Sequence, residues 1–207
     1  WKRANPLGTL LHLRKFPSIT GLLISILLLH IAAHAIMSNW NYYTIHRFKW
    51  DKKTVGISLA VVGVLVALVQ AGLTRIINPK IGNEKSLYTG LALYAMGMLL
   101  FGIATQSWMM FVFLVPYCLG GIAQPALQAV MAGKVPPNAQ GELQGAITSL
   151  MSLAAIIGPL IMNNLFFYFT HSKAPVYLPG APFFLGAILM LSSAIIAFKT
   201  LHQTKSS

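Results

Sequence analysis

Residues 54–73 read TVGISLAVVGVLVALVQAGL, twenty residues without a single charge. An apolar run of about 20 residues is what an α-helix needs to cross roughly 30 Å of bilayer hydrocarbon. In lipid the backbone has no water to bond, so a run of this kind is expected to be helical and to close its own N–H and C=O groups. Five further uncharged runs flank it, at 19–37, 86–103, 108–131, 146–169 and 183–198. The last is short, and 176–182 either extends it or forms a re-entrant lead-in. The pattern predicts an all-α, polytopic membrane protein of six transmembrane helices.

Composition supports this solvent assignment. Hydrophobic residues make up 56% of the 207-residue chain and charged residues 9%, against about 25% charged in a soluble domain. The net charge of +12 comes from 15 Lys and Arg against three acids, Asp51, Glu84 and Glu142. In a soluble protein such a balance would suggest nucleic acid. Here the basic residues lie between the apolar runs, where they orient helices and meet anionic lipid, so no nucleic-acid partner is expected. Cys118 is the single cysteine and forms no intrachain disulfide. Residue 1 is Trp, and the first nineteen residues lack the apolar core and cleavage site of a signal peptide, so the chain is expected to begin inside a longer polypeptide.

Six spans put both ends on one side. That side would hold Lys2, Arg3, Arg14, Lys15, Arg75, Lys80, Lys85, Lys134, Lys199 and Lys205; the other would hold Arg47, Lys49, Lys52, Lys53 and Lys173. The positive-inside rule then places the termini in the cytoplasm, with the four positive residues of the loop 39–53 as a countervailing feature. Trp40, Tyr42, Tyr43, Phe48 and Trp50 in that loop suit an interfacial aromatic belt. The expected organisation is a loop end at 1–18, a six-helix body at 19–200 and a cytoplasmic tail at 201–207. Spans three and four meet around Gln106 and Ser107, so they must form a tight antiparallel hairpin.

Small residues at Gly56, Ala60, Gly63, Ala67 and Ala71 form a stripe on the second span that lets another helix approach closely. Gly120, Gly121 and Pro125 in the fourth span, and Gly158 and Pro159 in the fifth, mark positions of kinking or close packing.

No acid lies in any apolar run, so polar chemistry within the spans falls to imidazoles and amides. His30 and His34 are spaced i, i+4 and share a helix face. A polar group in lipid normally faces the protein interior or a water-filled path, and imidazole is the side chain most easily titrated near neutral pH. The pair is read either as a substrate or proton contact or as a neutral pair bonded to neighbouring helices. No third ligand at a supporting spacing suggests a metal, and no cofactor is expected. Gln70, Gln124 and Gln128 in the inner halves of their spans, and Asn163 in the outer half of the fifth, offer donors and acceptors without charge. Each is either a pathway residue or an interhelical hydrogen bond. Arg75, Lys80, Gly82, Glu84 and Lys85 read as a loop, and Gln140 and Gly141 as part of a cytoplasmic turn entering the fifth span. HExxH, Gly-x-Ser-x-Gly and paired carboxylates are absent from the sequence, which argues against an enzyme.

The block Gly120-Gly-Ile-Ala-Gln-Pro-Ala-Leu-Gln128, with Gln140-Gly-Glu-Leu-Gln-Gly145, Ser149-Leu150 and Ile157-Gly-Pro-Leu160, resembles the tenth span, cytoplasmic loop and eleventh span of the tetracycline-resistance efflux carriers. Those are drug–proton antiporters of the major facilitator superfamily. Asn5-Pro6-Leu7 resembles the end of their central loop. Trp40, Thr44, Arg47, Phe48, Trp50 and Val55-Gly56 with Ser58-Leu59-Ala60 resemble their outer loop and eighth span, and Gln70-Ala71 its inner end. Gly82 and Gly90 resemble the loop into the ninth. The resemblance implies spans seven to twelve of twelve, a missing N-terminal six-helix half as partner, and a location in the bacterial cytoplasmic membrane. It further implies proton-coupled efflux of a small amphipathic compound by two rocking halves, with spans one, two, four and five here lining the path. Uptake or facilitated diffusion of a polar metabolite, and a self-contained six-helix membrane protein, are the alternatives. Where tetracycline carriers commonly have a membrane histidine and a membrane aspartate, this chain has Val66 and Tyr94. Where they tend to have glutamine in the seventh span, it has His30 and His34.

Overall fold

The computed structural model describes residues 17–203, with side chains from Ile19 onward. The expected loop end at 1–18, with Asn5-Pro6-Leu7, and most of the tail at 201–207 therefore lie outside the described residues. The helices are α1 (Pro17–Met37), α2 (Trp40–Phe48), α3 (Lys52–Leu68), α4 (Thr74–Ile81), α5 (Asn83–Ile103), α6 (Ser107–Leu119), α7 (Ala123–Ala132), α8 (Gln140–Thr170) and α9 (Ala181–Gln203). A π-helical turn, Val69–Leu73, joins α3 to α4, and a 3₁₀ turn, Gly120–Ile122, joins α6 to α7. Taken through these turns, six helices are long and apolar enough to cross a membrane: Ile19–Met37, Lys52–Ile81, Asn83–Ile103, Ser107–Ala132, Pro137–Thr170 and Ala181–Gln203.

These helices run past the uncharged runs at most ends, because leaving the hydrocarbon does not itself end a helix; a breaking residue does. Residues 74–81, read as loop, are helical, and the helix stops only at Gly82, whose φ of 84° is the left-handed conformation that glycine tolerates. At the other end of α3, the Asp51 carboxylate accepts a hydrogen bond from the Thr54 N–H at 2.9 Å. The Thr54 side chain, and then this backbone bond, hold the carboxyl below its ordinary range, and the bond satisfies one of the helix's free donors. The hairpin between α5 and α6 turns in the three residues 104–106.

The interior forms around α1, α5 and α9. α9 packs along both α1 and α5, and α8 lies against α1. Leu22 and Ile26 of α1, Leu87, Leu91 and Met98 of α5, and Phe183 and Ala187 of α9 are fully buried. Between α1 and α9, Ser25 donates to the Ser193 carbonyl at 3.0 Å and Ser193 returns a bond to the Ser25 carbonyl at 2.9 Å. The pair is self-satisfied in a fully buried interface. α5 meets α6 and α7 at glycines: a Cβ on Gly90 would stand 2.7 Å from the Ala123 nitrogen, and one on Gly97 2.7 Å from the Tyr117 Cβ. The α3–α4 span is the outlier, with 17% of its apolar window buried against 56% for α1. The stripe expected to receive a neighbour faces open space: a Cβ on Gly56 or Gly63 would meet nothing within 4 Å. Among the described residues, α6 is the main helix it touches.

The loop 39–53 departs from the belt expected of it. Residues 40–48 form a helix whose Trp40, Tyr43 and Thr44, at i, i+3 and i+4, turn inward. Trp40, Tyr43 and Trp50 are all buried, and of the five aromatics only Tyr42 is exposed. Their polar atoms find partners there. Trp40 donates to Ser58 at 2.9 Å, Trp50 donates to Ser107, and the Tyr43 hydroxyl donates to the Phe101 carbonyl at 2.8 Å. Burial pushes the Tyr43 hydroxyl up to about 12, with Tyr177 adding to the rise and Arg47 opposing it. Indole and phenol rings bury large apolar areas once their single polar atom is satisfied, which is why α2 is drawn into the bundle.

Candidate substrate cavity

A cavity of about 380 Å³ opens in the middle of the bundle, within the size range of small-molecule sites. His30 of α1, Val66 of α3, Tyr94 of α5, Tyr117 and Cys118 of α6 and Gln124 of α7 lie on its wall, with Gln70 from the π turn at one end and Trp40 and Asn41 at the other. Gln70 and Gln124 also line a second pocket of about 250 Å³, together with Thr74, Pro125 and Gln128. The two spaces share these two amides, so Gln70, more than fifty residues before the other two in sequence, joins Gln124 and Gln128 in one polar lining.

Local structure explains why these side chains point inward. The π turn places Gln70 toward both spaces, and Thr74 donates to the Val69 carbonyl at 3.0 Å within it; π turns interrupting α-helices concentrate at functional positions. Gly120 lets the Tyr94 ring sit against the α6–α7 junction, where a Cβ would be 2.6 Å from the ring. Tyr94 in turn packs on Tyr117, ring centroids 5.0 Å apart. The 3₁₀ turn that begins at Gly120 lies directly before Gln124 and Pro125. Nothing would crowd a Cβ at Gly121 closer than 3.7 Å.

The two histidines part company. His30 lies on the cavity wall, and its Nε2 is buried with no hydrogen-bond partner among the described residues. A buried polar atom left unpaired is costly, and this one belongs to a residue of the cavity wall. His34 packs against α8 instead, and a Cβ on Gly158 would fall 2.5 Å from its ring. Gly158 is thus the residue that admits the imidazole. Pro159 beside it sits inside an unbroken α8.

The remaining expected positions fall elsewhere. Asn163 is exposed on α8 and lines neither space. α8, the fifth span, contributes nothing to the central lining, while Tyr94 and Met190 from the third and sixth do. Gln140 ties the α7–α8 connection together by donating from Nε2 to the Ala132 and Val135 carbonyls, both at 2.8 Å. Gly141 is exposed beside it, Arg75 is exposed on α4, and Glu84 sits in the first turn of α5, where a helix favours negative charge. Tyr117 and Cys118 were not expected on the lining. Nothing in the sequence distinguishes them from other apolar-run residues, since the side facing the cavity is set by the turn at Gly120.

Comparison with known proteins agrees with this architecture. A family model described as Major Facilitator Superfamily matches residues 11–206. The chain is 33% identical over 162 residues to the class C tetracycline resistance protein of Escherichia coli, covering 78% of the chain and 41% of the relative. It is 41% identical over 127 residues to the class G protein of Vibrio anguillarum, covering 61% and 32%. The chain therefore spans less than half the length of these curated relatives. A solved structure, the human organic anion transporter MFSD10 (TETRAN), superposes with a TM-score of 0.78 at 21% identity, over 93% of this chain and 46% of that one.

Proposed function

The chain belongs to the Major Facilitator Superfamily, and from that premise we propose that it is the C-terminal six-helix half of a proton-coupled carrier that exports a small amphipathic compound. Its similarity to tetracycline resistance proteins supports efflux in a bacterial cytoplasmic membrane with both ends of this segment inside. The absence of acids from the cavity wall and the presence of Val66 and Tyr94 there favour a compound other than tetracycline. A second six-helix half would close the other side of the cavity, and the two would rock about it.

The observation that carries this reading is His30: a titratable ring on the wall of a central cavity, with a buried nitrogen awaiting a partner, beside Gln70 and Gln124. The amides orient a polar part of the substrate, Tyr94 and Tyr117 face its apolar part, and the imidazole takes or releases the proton as substrate leaves or enters. His34, held against Gly158, positions α1 rather than meeting the substrate. The test is export driven by an imposed pH gradient in vesicles containing the complete carrier. His30→Gln is expected to abolish gradient-driven export while substrate exchange without a gradient persists, and His34→Gln is expected to leave coupling in place. Unchanged gradient-driven export in His30→Gln would remove the imidazole from the mechanism.

A further inference from the structure

α2 separates two spaces. Its Trp40 and Asn41 close one end of the central cavity. Tyr42, Ile45, His46 and Lys49, at i, i+3, i+4 and i+7, form the stripe that looks the other way. With Trp50 and Phe166 of α8 they line a separate open pocket of about 510 Å³. No residue lines both this pocket and the central cavity.

Three features mark the pocket as built for a ligand. First, Lys49 caps α2 in the left-handed conformation, φ 57° and ψ 35°, and it is the only non-glycine described residue with positive φ. Glycine takes that position at no steric cost, so a lysine there places a cationic side chain at the pocket's rim at some steric cost. Second, His46 is fixed from two other elements: its Nε2 lies 2.9 Å from the Tyr177 hydroxyl in the 171–180 connection, and its ring stands edge-on to Phe166 with centroids 5.8 Å apart. Third, the lining contains no acid. The nearest in sequence, Asp51, has its carboxylate committed to the Thr54 N–H.

We infer that this pocket binds an anion carried on an apolar ring or chain, with the Lys49 ammonium and the His46 ring meeting the negative group and Trp50 and Phe166 the apolar part. An ammonium over aromatic walls supplies both halves of such recognition: a compact charge for the anion and large, rigid apolar faces for its frame. The Arg47, Lys52 and Lys53 side chains nearby raise the local positive potential and draw anions toward the opening. The ligand is either a soluble aromatic anion or the headgroup and upper chain of an anionic lipid. The site stands apart from the transport reading, since it uses none of the residues assigned to transport.

The probe is naphthalene-2-sulfonate, its binding to the purified complete carrier in phosphatidylcholine nanodiscs measured by equilibrium dialysis against protein-free discs. The wild type is expected to bind it above the empty-disc level, and 2-naphthylmethylammonium is not. Lys49→Gly removes the charge while relaxing the backbone, so it is expected to keep the wild-type Tm and to bind the sulfonate about tenfold more weakly, the scale of one lost charge-assisted contact. His46→Ala is expected to weaken binding by a smaller factor. Repeating the measurement with phosphatidylglycerol discs separates the sources. A lipid occupant competes and lowers the sulfonate affinity in the wild type, whereas a soluble-anion site keeps it. Binding no greater than in empty discs, equal binding by Lys49→Gly, or equal binding of the cation would each overturn the inference.

Discussion

Glycines at two places in this bundle have opposite surroundings. On α5, Gly90 and Gly97 sit where the backbone of another helix is close enough that any Cβ would collide with it. On α3, Gly56 and Gly63 have nothing within 4 Å. The two pairs have the same residue type and the same spacing of seven, and a helix carrying either reads the same in sequence. Glycine spacing in a membrane helix therefore signals an ability to be approached closely, and only the position of the neighbouring helix decides whether the ability is used within the chain. The tightly packed region, α1 with α5, α6 and α9, is held by shape and by reciprocal hydrogen bonds; the open region, α3, is held chiefly at its ends and along α6.

The contrast breaks if the two sets of glycines respond alike. Gly97→Val is expected to have the largest effect, because the Tyr117 backbone cannot yield: overpacking of this kind costs about 1–3 kcal/mol or more, read as a drop in Tm and in folded yield from detergent extracts. Gly63→Val is expected to leave the Tm of the chain unchanged in the same assay. The α1–α9 clasp is expected to respond less. Ser25→Ala and Ser193→Ala each remove one of two reciprocal bonds, and each is expected to cost about 0.6 kcal/mol, the average for interhelical hydrogen bonds in membranes. The double variant is expected to cost less than the sum of the two if the bonds support each other, a coupling a double-mutant cycle in SDS-titration unfolding measures.

Tyr43→Phe tests how the α2 segment is fastened to the packed region. It leaves the Phe101 carbonyl without its 2.8 Å partner, and is expected to cost about 1 kcal/mol. The same residue gives a pH signature. Folding favours its neutral form and raises the hydroxyl to about 12, so its contribution is complete below its ordinary value near 10 and is lost as pH rises toward 12. Tyr43→Phe is expected to remove that part of the alkaline loss of stability. The smallest effect is expected from Asp51→Ala, at the fully exposed cap of the open helix. Because its carboxyl is held low, its contribution is present above the ordinary carboxylate range and fades as pH falls through and below it. A slight loss of Tm at neutral pH that vanishes in acid checks this.

The six helices are legible because lipid imposes a length and a polarity on every span, and residues 54–73 satisfy both. The cavity is partly legible. His30, Gln70 and Gln124 stand out as polar groups in apolar runs, and the structure brings all three to one wall. His34 and Asn163 stand out in the same way yet do not reach it. Polarity says that a group in the membrane needs a partner or a path, not which; His34 is accommodated by the missing side chain of Gly158, more than a hundred residues away. The burial of Trp40 and Tyr43 was open to view in their i, i+3 spacing with Thr44, but the aromatic content of the loop suggested an interface instead. The π turn at 69–73 leaves no mark in composition, since backbone hydrogen bonding and not residue type defines it.

That turn has a consequence for how this span tolerates change in length. A wide turn of the 69–73 kind takes up one residue more than a regular helix would use, so the segments before and after it keep a common rotational phase. Deleting a single residue there would let the chain relax into an uninterrupted helix with both flanks facing as they do now, although Gln70 would lose its aim. The same deletion anywhere else in the span would swing every residue on one side of the cut by about 100° around the axis. The most length-tolerant point of this helix is therefore also the point at which it presents its amide to the cavity.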